Sequence, residues 1–379
     1  MKWNKIVTIG LLLITCQNFI SQVRIQIKSL PKDTPINAKI YAAGSFNDWK
    51  PDDIRFEFQP NSNNQLELIL PKVDLPSLEY KVTLGSWDSV EGDHNEHAIS
   101  NRIIDNPKNQ ELEISVLSWQ KTKELKSTAS RNVHVLNENF EIPQLNTKRR
   151  IWIYLPEDYS TTKKKYPVIY MHDGQNLFDE LTAYSGEWKI DETLDQLFKK
   201  KKCFIVVGID HGEDERINEY GPWNNPKYGG GNGKLYADFL ANTLKPYIDK
   251  HYRTLSSAKN TGLIGSSLGG LISLYTGIEY PTKFGKLGVF SPSTWFTKVQ
   301  LFEFLNHQTK RDIKSKFYLY GGHLEGDHLI EDLDEVSQTL QQKGISKKNI
   351  IINTEKSGTH KEEFWAKEFP KAIDWLFFK

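Results

Sequence analysis

Two cysteines, Cys16 and Cys203, are all that the 379 residues contain. No disulfide framework can therefore staple a small scaffold, and the fold has to rest on a hydrophobic core. Methionine is equally scarce, with Met1 and Met171 alone, which excludes a Met-rich adaptable groove. Charge of one sign is missing as well. Forty-nine Lys+Arg against 48 Asp+Glu leave a net charge of +1, without the long-range field that draws a chain to phosphate, and this argues against nucleic acid as a partner. No apolar run reaches the about 20 residues that a membrane-spanning helix needs. What is present is 38% hydrophobic and 12% aromatic residues, enough to build a core and too many for a disordered chain. The length suggests two or three domains.

Lys2 and Lys5 precede a short apolar stretch from Ile6 to Ile14. A basic start followed by a short apolar core reads as a secretory signal over residues 1–21, cleaved after Ser21, which predicts an exported protein, periplasmic or extracellular. Leu13-Ile14-Thr15-Cys16 offers a second route, a lipid anchor on Cys16.

Residues 22–118 read as short strands separated by Pro, Gly, Asn and Asp: Val23 to Ile27, Ala38 to Ala42, Arg55 to Phe58, Gln65 to Leu70, Glu79 to Leu84 and Glu111 to Val116. That pattern predicts a small all-β, Ig-like sandwich. Residues 119–131 are polar without an apolar period and read as a linker. From residue 132 to 379 apolar runs alternate with helical stretches. Val168 to Met171, Phe204 to Ile209, Leu263-Ile264, Leu287 to Phe290, Phe317 to Tyr320 and Ile350 to Ile352 read as buried strands. Leu235 to Ile248, Leu268 to Glu279, Leu329 to Gln342 and Phe364 to Phe377 read as helices. The expectation is an α/β domain with a mainly parallel sheet covered on both faces.

Chemistry concentrates in this second module. Gly265-Ser266-Ser267-Leu268-Gly269 is a G-x-S-x-G pentapeptide between a strand-like Thr261 to Ile264 and a helix pattern ended by Pro281. That is the strand–turn–helix setting of a nucleophile elbow. Glycines suit it because flanking side chains would collide with the elements packed around a strained turn. Ser267 becomes the candidate nucleophile, and the Leu268 N–H at the helix start a candidate oxyanion donor. A serine hydroxyl needs a base. His360 follows the strand-like Ile350 to Asn353 and precedes the final helix, so it is the candidate base. An acid must fix its tautomer. Glu325 and Asp327 both lie in the loop after Phe317 to Tyr320. Glu325 is favoured because its spacing from Gly322 lets a short turn aim it back at His360. The order Ser, acid, His is that of the α/β-hydrolase triad. Gln175, in the loop after the Val168 strand, supplies the candidate second oxyanion N–H. His172 and Asp173 in that loop have no further cluster at metal spacing, so neither a metal nor a cofactor is expected.

Met171-His-Asp-Gly-Gln-Asn-Leu-Phe-Asp179, Gly265-Ser-Ser-Leu-Gly-Gly270, Phe290-Ser-Pro-Ser-Thr-Trp295 and Gly358-Thr-His360 together resemble the family called Putative esterase, with its feruloyl esterases, enterochelin esterases and S-formylglutathione hydrolase. The resemblance covers roughly residues 135 to 379 in the family's motif order. It implies an α/β-hydrolase fold and a triad at Ser267, His360 and Glu325 or Asp327. Arg216 to Trp223 and Gly229 to Gly233 resemble family segments around the active-site mouth, which implies a pocket walled by Trp188, Arg216, Trp223 and Trp295. In the first module, Ala43-Gly-Ser-Phe-Asn-Asp-Trp49, Glu79-Tyr-Lys-Val82, Gly85-Ser-Trp87 and Asn101-Arg102 are similar to the glycogen-binding module of AMP-activated protein kinase and of branching enzymes. By that match Trp49, Lys81, Trp87 and Asn101 fall at glucan-contacting positions, where indole faces stack on sugars and polar groups bond hydroxyls.

The function expected from the sequence is a secreted serine carboxylic-ester hydrolase acting on an acyl ester of a carbohydrate or phenolic acid, feruloyl- or acetyl-esterase-like. Its partner is a small-molecule or polysaccharide ester. Three alternatives stay open: a siderophore trilactone esterase, an acyltransferase, and a non-catalytic glycan-binding protein.

Overall fold

The computed structural model describes residues 22–379 apart from 71–75, 94–95, 97–98, 121–126, 185, 309–313 and 327. The expected export segment, Cys16 and Asp327 therefore lie outside the described residues. The chain divides into two compact units, residues 1–125 and 126–379. No helix among the described residues is long and apolar enough to cross a membrane.

In the first unit, Val23–Ser29 alternates buried and half-exposed residues, as a strand with one wet face must. It pairs antiparallel with Leu66–Leu70 and parallel with Gln110–Ser115. A second sheet pairs Tyr41–Gly44, Ser77–Thr83 and Arg102–Asp105. The inward residues of both sheets, among them Ile25, Leu68, Ile114, Ala42, Tyr80 and Ile104, share one apolar core. Arg55 to Phe58 corrects the sequence expectation. Asp53 accepts the Arg55 N–H and caps a 3₁₀ turn over Ile54–Phe56, so this segment is not a regular strand.

The second unit is built on an eight-stranded sheet. In spatial order its strands are Val133–Ile142, Thr147–Tyr154, Ile205–Ile209, Val168–His172, Thr261–Ser266, Lys286–Phe290, Lys316–Gly322 and Ile350–Glu355. The first three are joined antiparallel and the remainder parallel. The central parallel strands are buried, mostly apolar runs, since helices cover both faces. Val133–Ile142 and Thr147–Tyr154 are absent from the sequence-derived strand set. The edge strand is largely exposed and its apolar residues are interrupted by polar ones, with only Phe140 and Ile142 buried, so it carries no continuous apolar run. The expected linker also ends earlier. The Ser127 hydroxyl donates to Asp179 and the Ser130 N–H donates to Asp191, which ties these residues to the second unit.

Leu268–Glu279 is buried on nearly every side. Its Leu271, Ile272, Leu274 and Ile278 face the core, each contributing roughly 1.5–3 kcal/mol of burial. The helix stops at Tyr280, before Pro281, where the pre-proline residue is pushed out of helical geometry. After Val168–His172 the chain crosses to Ile205–Ile209 on one side of that strand and later returns to Thr261–Ser266 on the other. Connections that diverge in this way leave a crevice at the carboxyl ends of the strands, where an α/β sheet offers a binding site.

Candidate active site

Ser267 sits between Thr261–Ser266 and Leu268–Glu279 with φ 58° and ψ −126°. A non-glycine residue holds this conformation only when its surroundings enforce it. They do so through close packing. A Cβ on Gly265 would lie 2.6 Å from the Gly269 carbonyl oxygen, and the Ser267 N–H is anchored on the Phe290 carbonyl at 3.0 Å. The Ser267 hydroxyl lies 3.1 Å from that of Ser293, whose own N–H donates to the Ser267 carbonyl at 3.0 Å. No site role attaches to Ser293 in the sequence reading, although it stands inside the Phe290–Trp295 motif.

His360 Nδ1 lies 2.7 Å from Glu325 Oε2. A carboxylate accepts, so Nδ1 carries the hydrogen and Nε2 keeps a lone pair able to take a proton. The other oxygen, Oε1, accepts the Gly322 N–H at 2.7 Å and the Ser291 hydroxyl at 2.8 Å. Ser291 Oγ in turn accepts from Trp365 Nε1 at 2.9 Å, and the Trp365 ring meets the His360 ring edge-on at 5.0 Å. The Glu325 side chain is 1% exposed and that of His360 47%. A buried carboxylate held by two donors thus aims at an imidazole that reaches the cavity.

Ser267 and His360 line one cavity of about 1030 Å³, whose walls include Gln175, Tyr184, Trp188 and Arg216. Leu268 opens its helix and Gln175 belongs to the 3₁₀ turn Gly174–Asn176, so both N–H groups occupy first turns, where no intrahelical carbonyl is available. The Gln175 side chain accepts the His211 N–H at 3.2 Å, which pins its loop to the end of the neighbouring strand. Arg216 clamps Asp173 through two hydrogen bonds of 2.7 and 2.9 Å. Burial alone would raise the Asp173 carboxyl, but the guanidinium outweighs it and the net shift is downward. Beneath the elbow, His172 is held down to about 4 by burial, only partly offset by Asp173, and so stays neutral. Its Nδ1 lies 3.1 Å from the Tyr236 hydroxyl.

Two expected wall residues stand elsewhere. Trp223 packs edge-on against Tyr275 at 5.5 Å and tilted against Phe304 at 5.7 Å, away from the cavity lining. Trp295 is 62% exposed and meets Tyr228 edge-on. A tryptophan suits a core or a rim as well as a pocket, so residue type alone could not separate them. In the first unit, Trp49 and Trp87 form a pair with ring centroids 6.4 Å apart, and Trp87 is 44% exposed. Lys81 Nζ donates to the Ile99 carbonyl, and Asn101 donates to Glu79 at 2.8 Å.

Residues 142–376 match the family model Esterase, described as "Putative esterase", and the chain belongs to that family. That membership supports hydrolysis of ester bonds. Among curated proteins, the uncharacterized protein YbbA of Bacillus subtilis is 28% identical over 61% of this chain and 93% of its own length. Iron(III) salmochelin esterase of Escherichia coli is 28% identical over 50% of this chain and 45% of its own length. An endo-1,4-beta-xylanase/feruloyl esterase of Xylanibacter ruminicola is 30% identical over 38% of this chain and 19% of its own length. Among solved structures, the BES protein of Bacillus cereus superposes with a TM-score of 0.53 at 20% identity, over 68% of this chain and 100% of that one. The enterobactin esterase FES of Shigella flexneri gives 0.52 at 15% identity, over 89% of this chain and 87% of its own. These likenesses are of fold.

Proposed function

We propose that the protein is an exported serine carboxylesterase acting on an acyl ester of a carbohydrate or phenolic acid. Ser267 attacks the ester carbonyl while His360 Nε2 takes its proton. Glu325 holds the imidazole tautomer and stabilises the imidazolium that forms. The N–H groups of Leu268 and Gln175 meet the charge that develops on the carbonyl oxygen. His360 then passes the proton to the leaving alcohol, the acyl group stays on Ser267, and water activated by the same imidazole releases the acid. The observation that carries this reading is the 2.7 Å His360–Glu325 pair at a cavity that the strained Ser267 also lines. Hydrolysis of acetyl, p-nitrophenyl and feruloyl esters tests it. Ser267→Ala should lose at least about 10⁴-fold in kcat, and equal activity in variant and parent rejects the assignment.

The cavity lining bears on the substrate class. It carries Asp173, Asp210, Glu213, Asp214 and Glu362 against Arg150, Arg216 and Lys361, and two of these cations are already paired with cavity carboxylates. A wall of that balance suits a neutral, hydroxyl-rich ester better than an iron-laden catecholate, which is itself anionic. A second reading, a siderophore esterase, is favoured by the fold likeness to the enterobactin esterase, whose 89% span exceeds the second unit by itself. A panel that includes a catecholate trilactone separates the two.

The first unit is proposed to be an Ig-like sandwich that binds glycan through Trp49 and Trp87, with Lys81 and Asn101 as further contacts. The full chain should be retarded on a glycogen or xylan affinity gel. Trp87→Ala should remove most of that retardation, since one ring–ligand stack contributes about 1 kcal/mol or more. A parent chain that migrates freely rejects this role.

A further inference from the structure

Glu187, Asp191 and Glu192 flank the start of helix Ile190–Lys199 in the second unit. Each offers one carboxylate oxygen, and these oxygens lie within 4.8 Å of one another. Carboxylates near a helix N-terminus are ordinary in themselves, since the helix dipole favours them. What distinguishes these is that Glu187 is 7% exposed and Asp191 is fully buried, while Glu187 Oε1, Asp191 Oδ1 and Glu192 Oε2 are buried and meet no donor from the surrounding residues; Asp191 and Glu192 stand close enough to bond each other through a shared proton. Two of the opposite oxygens are satisfied. Glu187 Oε2 accepts the Thr128 hydroxyl at 3.2 Å, and Asp191 Oδ2 accepts the Ser130 N–H at 2.6 Å. Glu187 and Asp191 are thus each fixed by one oxygen, while one oxygen of each of the three residues meets no donor.

Three carboxylates gathered this closely cannot all be charged and bare, because desolvation and mutual repulsion both oppose it. Either protons or a cation must neutralise them.

We propose that this cluster is a binding site for a Ca²⁺ ion. Hard oxygen donors select Ca²⁺ or Mg²⁺ over the softer metals. Oxygens ringing Ca²⁺ at its usual 2.3–2.6 Å stand at most about 5.2 Å apart, which accommodates the observed separation. Mg²⁺ is usually held by one or two carboxylates, fewer than are gathered at this point. Glu192 is only half-buried, so ion and water have a way in. The ion would act on positioning. Glu187 adjoins Trp188, which lines the cavity and whose N–H donates to the Asn176 carbonyl at 2.8 Å. Asn176 follows Gln175 in the same short turn. Bound Ca²⁺ would hold this segment against the loop that presents Gln175.

The test uses the full chain, stripped with chelator and desalted. Titration with CaCl₂ should give one saturable site per chain and raise Tm by roughly 3–8 °C at saturation. Terbium in place of calcium should luminesce on excitation of Trp188, and a Trp188→Phe variant should lose that signal. Asp191→Asn should abolish the calcium increment while raising the metal-free Tm, because it relieves the crowding of three carboxyl groups at this point. Glu187→Gln serves as a second variant should Asp191→Asn fail to fold. Ser267→Ala should keep the whole calcium response, so the site stands or falls separately from the esterase reading. Absence of saturable binding by wild type up to about 10 mM Ca²⁺, above the range of weak extracellular modules, overturns the proposal. A response to Mg²⁺ alone, or a metal-free Asp191→Asn that is less stable than a metal-indifferent parent, overturns it too. The last result would identify a proton-sharing acid pair.

Discussion

Glu325 and the Glu187–Asp191–Glu192 group are buried or half-buried carboxylates in the second unit, and they differ in what meets their oxygens. Both oxygens of Glu325 are taken, by His360 on one side and by Gly322 and Ser291 on the other. In the second group one oxygen of each residue meets no donor. A carboxylate whose lone pairs are all engaged has a fixed direction and serves as an orienter. One with an open lone pair away from water is incomplete until a proton or a cation arrives. Asp173 adds a third arrangement, since the Arg216 guanidinium occupies both of its oxygens.

The sharpest way to break this comparison is Glu325→Gln. The amide keeps the shape but can present an N–H to His360 Nδ1, which favours the wrong tautomer, so kcat should fall about 10³–10⁴-fold with the fold intact. Steady-state kinetics and circular dichroism check this, and undiminished kcat would move the acid role to another residue, with Asp327 first to be tried. Next in size is Arg216→Ala, which turns a satisfied carboxylate into an open one. Stranding buried Asp173 should cost about 3–5 kcal/mol in denaturant unfolding, and a loss below about 1 kcal/mol would mean that water replaces the guanidinium.

The smallest effect concerns His172, beside Asp173. Its folded-state value of about 4 lies below its ordinary 6.5. The unfolded chain therefore binds the proton first, so this group favours folding fully above pH 6.5, and the benefit drains away as the pH falls toward 4. The total is roughly 3 kcal/mol. His172→Gln should flatten the stability–pH curve over that window. An unchanged slope would show that His172 titrates alike in both states.

Much of the second unit was legible because buried parallel strands and an elbow flanked by glycines leave local signatures. The edge strand Val133–Ile142 left none, because its apolar residues are broken up by polar ones and most of it is exposed. Of the pocket tryptophans, Trp188 lines the cavity while Trp223 and Trp295 do not, because an indole's neighbours are chosen by the packing of distant elements. Ser291 and Ser293 were visible only as parts of a motif, since what each bonds to lies 26 residues or more away in the chain.

The sequence by itself determined the order of elements, the strained turn that carries Ser267 and the residue types able to act as base and acid. These follow from short-range sterics and apolar periodicity, which act between near neighbours. Only the tertiary structure decided that Glu325 meets His360, that Ser293 meets Ser267 and that three carboxylates converge beside Trp188. Each of those meetings joins side chains brought together by the sheet order and by helix packing, and a hydrogen bond or a repulsion exists only once the two groups are a few ångströms apart.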